Sequence, residues 1–508
     1  MGKYILAHDF GTTGNKATLY NSEGQLVGSH LSEYETFYPG VNWAEQNPAD
    51  WWEAVCKSTK QLISESGIKK EEIAVISFSA QMMGCLPLDK NGDPLRRSII
   101  WADQRSVKQA DKLRDKVGAE EVYQITGHRV SPAYSVEKIM WIMENQPEIY
   151  EKTYKFVHAK DYIVNKLTGE FVTDYSDASG MNLYDINKKR WSPEIISAVG
   201  LDKDKLPEVR SSFDVIGKVG REAAEEVGLK AGTPVVLGSG DGAAAGVGAA
   251  VVREGSAYNY IGSSSWIALA TEKPILDPEQ QTFNWIHMDP EMYMPCGTMQ
   301  TAGASYNWLK NTLCQAEQQA AQNLDLSVYE LMNLSVEDSN PGADNLLYLP
   351  YLMGERSPHW NPKAKGAFIG LTLRHNRKDI IRAVLEGVTF NLKIISEIFE
   401  NEIDFSKIRV IGGGAKGKTW RKIMADIYNK EVLKPAILEE ATSLGAAIAG
   451  GVGVGIFSGV EVAEELNPIV ERQSPDQNNV KKYQKLYPVF KNAYSSLIDV
   501  YDSLAEID

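Results

Sequence analysis

The chain is short of cysteine, of positive charge and of long apolar runs. Its four cysteines are Cys56, Cys85, Cys296 and Cys314. No two form a C-x-x-C pair, so neither a zinc site nor a disulfide framework is expected. Acids outnumber bases by 67 to 53, for a net charge of -14. A nucleic-acid binder needs a basic face, so that class is excluded. No apolar run reaches the length of a membrane span, and no signal peptide precedes the first strand-like run, Tyr4-Ile5-Leu6-Ala7-His8. A reducing cytoplasm is the expected compartment. The 508 residues suit two large domains. An acidic protein that binds an anionic ligand must supply local positive potential from backbone N–H groups, Lys or a metal.

The stretch Gly238-Ser239-Gly240-Asp241-Gly242-Ala243-Ala244-Ala245 follows a buried strand, Thr233 to Leu237, and opens into helix-forming small residues. Asp241 stands between two glycines, so a substrate can approach its carboxylate closely. Three readings compete: a tight turn with a solvated Asp, a G-x-G-x-x-A dinucleotide fingerprint, and a catalytic base at a domain junction. An Asp inside a dinucleotide fingerprint would point negative charge at a pyrophosphate.

The rest of the chain weighs on that choice. The opening strand ends in Asp9-Phe10-Gly11-Thr12-Thr13-Gly14-Asn15-Lys16, and a second strand returns from Ala17. The tip of this hairpin offers glycines, two hydroxyls and Lys16, the parts that hold phosphate oxygens. Asp9 can reach a magnesium ion directly or through water. An ordinary hairpin is the alternative. His8 reads as a packed strand residue. A helix is predicted from Pro48 to Ser66, and a buried strand from Ile73 to Ser79 leads into Gln81-Met82-Met83. Ile99-Ile100 leads likewise into Trp101-Ala102-Asp103-Gln104-Arg105. Loops at such strand ends line clefts. A Trp face with Asp103 and Arg105 suits a polyhydroxylated ligand, and a Trp beside a surface ion pair is the alternative. Asp174 to Gly180 reads as a polar turn. After Asp241 the pattern repeats: a strand Ala257–Ile261, a turn Gly262-Ser263-Ser264-Ser265, then another strand. Two similar hairpins suggest two related domains facing one nucleotide. The expected division is 1–248, 249–455 and a helical tail, 456–508, packed on the domains.

Gly412 to Thr419 fits the P-loop pattern G-x-x-x-x-G-K-[ST] after a strand, Ile408 to Ile411. Too little chain follows for a P-loop domain, and no later strand ends in the Asp such enzymes use for magnesium. Gly413, Gly414 and Ala415 read better as a turn on which an adenosine lies.

Taken together these stretches resemble the FGGY family of carbohydrate kinases, most closely its xylulokinase branch. The likeness runs from about residue 4 to about residue 455. It is carried by Asp9 to Thr13 with Lys16, by Ala133 to Trp141 with Lys138, by Gly366 to Glu386, by Tyr351 to Arg356 and by Asn42 to Gln46. The resemblance implies an α/β architecture of two ribonuclease H-like, actin-like domains around a cleft. It implies ATP and magnesium there, with phosphoryl transfer to a hydroxyl of a ketopentose such as D-xylulose. By that likeness Asp241 is the base, Asp9 lies in the metal's shell, and Gly11, Thr12, Thr13, Lys16, Gly262 and Ser263 hold phosphates. Gly413, Gly414 and Ala415 hold the adenosine, and Gln81, Met82, Met83, Trp101, Asp103, Arg105 and Asp241 face the sugar. Xylulokinases usually carry His where this chain has Met83, so another ketose, a polyol or an aldonate is the alternative acceptor. An actin- or chaperone-like ATPase and a noncatalytic sugar sensor are the rival functions. Neither nucleic acid nor membrane is an expected partner, and the reading allows a homodimer.

Overall fold

The computed structural model describes residues 3–507. Two mixed sheets of seven strands each carry the fold. In the first, Tyr4–Phe10, Gly14–Asn21 and Leu26–Glu33 form an antiparallel meander, and Ile73–Ala80 joins parallel to the first strand. Pro234–Val236 pairs parallel to Ile73–Ala80, and Val215–Lys218 closes the edge antiparallel. The second sheet repeats this order. Ala257–Ile261, Ser265–Leu269 and Tyr293–Met299 form the meander, Lys407–Ile411 and Glu431–Pro435 add in parallel, and Ile469–Gln473 closes the edge antiparallel. The chain is therefore a duplicated α/β unit, as the two hairpins suggested.

Local signals explain the predicted helices. Pro48–Ser66 begins with Asn47 as cap and Pro48 in the first turn, and it ends at Gly67 with φ 69°. Only a residue free of Cβ strain closes a helix easily in that conformation. Arg377–Glu400 begins with a capping box between Asn376 and Asp379.

Two helices cross between the sheets. Asp241–Gly248 leaves the first sheet and packs on the second, where a Cβ at Gly246 would stand 3.2 Å from the Met294 sulfur. Ala441–Gly453 leaves the second sheet and packs on the first, against Ile5, Val75 and Ser77. A Cβ at Gly445 would lie 2.0 Å from the Ala244 carbonyl oxygen, and one at Gly248 1.7 Å from that of Ala441. The two backbones touch, which only small residues permit. The core around the crossing is correspondingly rich in alanine.

Two expectations need correction. The stretch 456–508 is not a helical tail alone, because Ile469–Gln473 is an edge strand of the second sheet. Its helix Gln477–Ser496 docks on Arg377–Glu400, where the Tyr483 hydroxyl donates to Glu386 at 2.6 Å. Asp174 to Gly180 is no solvated turn either. It is the short helix Tyr175–Ser179, and Asp174 and Asp177 are fully buried beside Lys160. A polar run looks exposed in sequence, but here a buried ammonium balances it.

Candidate active site

The first hairpin, the Ile73–Ala80 strand and the Asp241 helix meet at one edge of the first sheet. Asp9 is in register with Ser79, and Ser79 with Ser239, so Asp241 lies just beyond the third of three adjacent strand ends. The Ser79 hydroxyl donates to Asp9 Oδ1 at 3.0 Å. Burial pushes the Asp9 carboxyl up to about 6, against the pull of Ser79 and Lys16. Asp241 opens to the cleft, yet protein of both halves surrounds it. That enclosure and the neighbouring Asp9 charge push its carboxyl up to about 7, although the Gly242 amide donates to it at 2.7 Å. The fingerprint and plain-turn readings of this stretch fit less well. The side chain is exposed, and the charge of Asp9 acts on it.

The hairpin tip is held firmly. Gln46 Nε2 donates to the Thr12 carbonyl at 2.7 Å, and Trp101 Nε1 donates to Thr12 Oγ1 at 3.0 Å. The Gly11 amide bonds the Gly14 carbonyl at 3.0 Å. Among the described residues no acceptor pairs with the Thr12 or Thr13 amides. Lys16 pairs across strands with Asp9 and reaches Glu440 of the second half at 4.0 Å. His8 is a packed residue as expected. It is fully buried against Asn15 and Thr59, and burial lowers it to about 4.

The second hairpin borders a cavity of about 820 Å³. Gly262, Ser263, Gly413 and Gly414 line it, as the sequence suggested. A Cβ at Gly414 would stand 2.4 Å from Ile261, whereas Gly413 has open space beyond it. Ala415 does not reach the cavity. It is buried beneath the turn, where its carbonyl accepts from Arg421. Sequence reasoning missed Gly303, Asn307, Tyr329 and Asn333 on the opposite wall. Gly303 was legible in principle, since it opens a helix after a strand, but nothing local linked it to Gly262. A Cβ there would meet the Gly262 carbonyl oxygen at 2.3 Å.

The P-loop-like run lines the cavity with Gly413, Gly414, Lys416 and Gly417, but Lys418 is not part of that wall. Lys418 is exposed, and the Thr419 hydroxyl donates to Glu337 at 3.0 Å. Lys418→Ala should therefore change nucleotide affinity by no more than about twofold, as a surface substitution does. A nucleotide titration against the native protein checks this. A loss as large as that from removing Asp9 would restore the P-loop reading.

Of the residues expected to face a sugar, Asp103 and Arg105 do not. Asp103 is fully buried, accepts from the Ala44 amide at 2.6 Å and pairs with Arg105 at 2.7 Å. Arg105 also pairs with Glu45 at 2.8 Å and lies 3.9 Å from the Trp43 ring. An ion pair so enclosed orders the loop that carries Trp101 instead of meeting a ligand. Met82 packs on the Asp241 turn, where a Cβ at Gly240 would lie 2.5 Å from its sulfur. Met83, half-buried, has φ 61°, and its carbonyl accepts from Lys138 at 2.7 Å. Gln81 donates to Gln46 at 2.6 Å, while its own side-chain oxygen is buried without a partner. Trp101, half-exposed, borders the hairpin tip.

Comparison with known proteins decides the family. Residues 4–248 match the N-terminal domain of the FGGY family of carbohydrate kinases, and residues 257–454 match its C-terminal domain. This chain is an FGGY carbohydrate kinase. It is 33% identical to the xylulose kinase of Bacillus subtilis over 99% of each chain. It is 32% identical to the gluconokinase of Bacillus licheniformis over 99% of this chain and 98% of that one. Crystal structures of a ligand-bound xylulose kinase and of a gluconate kinase, both from Lactobacillus acidophilus, superpose on this FGGY kinase with TM-scores of 0.91. Their identities are 26% and 27%, and they cover 100% and 99% of those chains and 99% of this one. The kinase fold is thus the duplicated, actin-like one. Sugar-kinase membership removes the chaperone-like ATPase as a family assignment. No helix of the described residues is long and apolar enough to cross a membrane.

Proposed function

We propose that this kinase transfers the γ-phosphoryl group of ATP to a hydroxyl of an open-chain sugar or sugar acid, with Asp241 as general base. The observation that carries this reading is the place of Asp241, exposed just beyond the strand ends that carry Asp9 and Ser239, with its carboxyl pushed up to about 7 by enclosure and by Asp9. A base works best when its pKa lies near the operating pH. Asp241 accepts the proton of the attacking hydroxyl. Thr12 and Thr13 donate their free amides to the transferring group, and Lys16 adds positive charge beside them. Gly262 and Ser263 hold the remaining phosphates, and Gly413 and Gly414 let the adenosine lie against the backbone.

Asp9 suits a magnesium ion. One of its oxygens accepts from Ser79, and no ammonium or guanidinium lies within ion-pair distance among the described residues. Asp9 would hold a magnesium ion there, and the ion would supply positive charge to offset that of the phosphates. The Lys16–Glu440 contact, at 4.0 Å, joins the phosphate hairpin of the first half to the second half.

Met82 and Met83 make one wall of the acceptor site apolar, and Gln81 and Trp101 flank the hairpin side. The likeness to xylulose kinases supports D-xylulose as acceptor, and the equal likeness to gluconokinases supports gluconate. The test is ADP release measured with D-xylulose, other ketoses, polyols and aldonates. ADP release should depend on one of these acceptors. Equal release without any acceptor would replace this reading with that of an ATPase.

A further inference from the structure

Arg105, Arg382 and Arg421 each pair with a carboxylate. Arg129 and Arg356 do not, although acids outnumber bases in this chain. Both are half-buried, and both face the ring of Trp360. Their guanidinium carbons lie 5.1 and 5.9 Å from its centre. Arg129 donates one bond, from Nη1 to the Gln280 carbonyl at 3.1 Å. Trp360 is fixed in turn, since its Nε1 donates to the Gln281 carbonyl at 2.9 Å.

Asp277, whose charge acts on Arg129, and Glu355, on which Arg356 acts, both spend their oxygens on other donors. Glu355 accepts from the amides of Gln300 at 2.6 Å and Arg356 at 2.8 Å, and from Asn391 at 2.9 Å. Asp277 accepts from the amides of Glu279 at 3.1 Å and Gln281 at 2.7 Å. Two guanidinium groups thus lie within 6 Å of one indole ring with most of their donors unspent. Like charges brought together in a partly buried place invite an anion.

The place adjoins the acceptor wall. Trp360 and Met83 pack against the same buried cluster as Met82, Tyr134, Met294 and Cys296. Met82 covers the turn before Asp241, and a Cβ at Gly242 would lie 3.4 Å from the Met294 methyl. Asp241, Met82, Met83 and Trp360 thus border one apolar cluster, and the thiol of Cys296 within it feels the charges of both Arg356 and Asp241. The Met83 side chain offers no hydrogen bond there.

We infer that Arg129 and Arg356 form an anion-binding end of the acceptor site, so that the acceptor is an aldonate with its carboxylate on the arginines and its reacting hydroxyl at Asp241. This rests on the kinase reading above. A guanidinium holds a carboxylate through two parallel bonds, which neither a ketone nor a primary alcohol can accept in the same way. Trp360 supplies the flat surface on which both guanidinium groups are held.

The experiment compares kcat/KM for D-gluconate, D-glucitol and D-xylulose in the native enzyme and in Arg356→Met, Arg129→Met and Arg356→Lys. D-Glucitol replaces the carboxylate by an alcohol and keeps the rest of the chain. The native enzyme should favour D-gluconate over D-glucitol by about a hundredfold, the scale of losing one side of a buried charge pair. Either Met variant should cut that ratio by a similar factor, and Arg356→Lys, which keeps charge without the fork, by less. An unchanged ATP affinity shows that the variants are folded. If a variant fails that control, calorimetric binding of D-gluconate and D-glucitol to the native enzyme decides, with tighter binding of gluconate expected. Native preference for D-xylulose or D-glucitol, or a ratio unmoved by both Met variants, overturns the inference and leaves the kinase reading standing. Absence of acceptor-dependent ADP release for all three sugars and for other ketoses, polyols and aldonates overturns both.

Discussion

Asp241→Asn should bind ATP normally and lose phosphoryl transfer by about a hundred- to ten-thousand-fold, the range supplied by general base catalysis. Asn keeps the size and shape of the side chain but cannot accept the proton. The change also removes one of two mutually repelling carboxylates, so nucleotide affinity should hold or rise slightly. The proton argument carries a pH dependence. The base works deprotonated, and enclosure and Asp9 push its carboxyl up to about 7. The kcat/KM of the native enzyme should therefore fall as pH drops through that value, and a metal on Asp9 moves the fall to lower pH. The residual rate of the Asn variant should lack this fall. Acceptor-saturated turnover in the Asn variant close to that of the native enzyme would reduce Asp241 to a turn residue.

Lys160→Met should be the most destabilising single substitution described for this chain. The Lys160 ammonium lies 2.6 Å from Asp161, 2.8 Å from Asp174 and 2.9 Å from Asp177, and all four side chains are fully buried. Burial opposes its charge, but the three carboxylates outweigh that and hold its pKa well above the ordinary value. Asp177 is pushed up to about 6 by burial, despite Lys160. His158, Asp161 and Asp177 come close enough to hold a metal ion, but the ammonium already sits between the two carboxylates. Methionine fills the space of lysine and leaves the three acids with only His158, 3.5 Å from Asp161, as a cationic partner. Removing one member of a buried ion pair costs about 3–5 kcal/mol. Urea unfolding of both proteins measures it, and a loss under about 1 kcal/mol would mean that the cluster holds fewer charges than drawn.

The same cluster reaches the site. Ser176 donates to Asp174, and the Gly240 amide donates to Ser176 Oγ at 2.9 Å. Gly240 is the residue before Asp241. Lys160→Met should thus lower kcat as well as stability, and adding Asp174→Asn should recover part of the stability by removing one unbalanced charge.

Much of this molecule was legible in the residues. The strand Tyr4–Phe10, the helix Pro48–Ser66 and the strand Ala257–Ile261 fall where apolar periodicity and caps put them. The two glycine-and-hydroxyl hairpins announced the duplication. Their pattern is local, since a tight turn needs small residues at fixed offsets whatever the rest of the chain does. The strand-to-helix turns at Asp241 and Gly413 were legible for the same reason. The P-loop match at Gly412 to Thr419 shows the limit of such patterns. The right residue types are present, but Lys418 is not among those that line the cavity.

Side-chain direction and pairing were decided by the tertiary structure alone. Asp103 and Arg105 look like a binding pair in sequence, yet Glu45 and Trp43 from an earlier loop enclose them. Asp174 and Asp177 look solvated until Lys160 is placed against them. Arg129 and Arg356 come from different halves of the chain, and only the fold brings both to Trp360. The sequence by itself determined the strands, the helices, their duplication and the acid at the cleft, because turns, caps and periodicity act over a few residues. The fold decided which charges are buried in pairs and which remain free for a ligand, because a charge is stabilised or left unspent by neighbours far away in the chain.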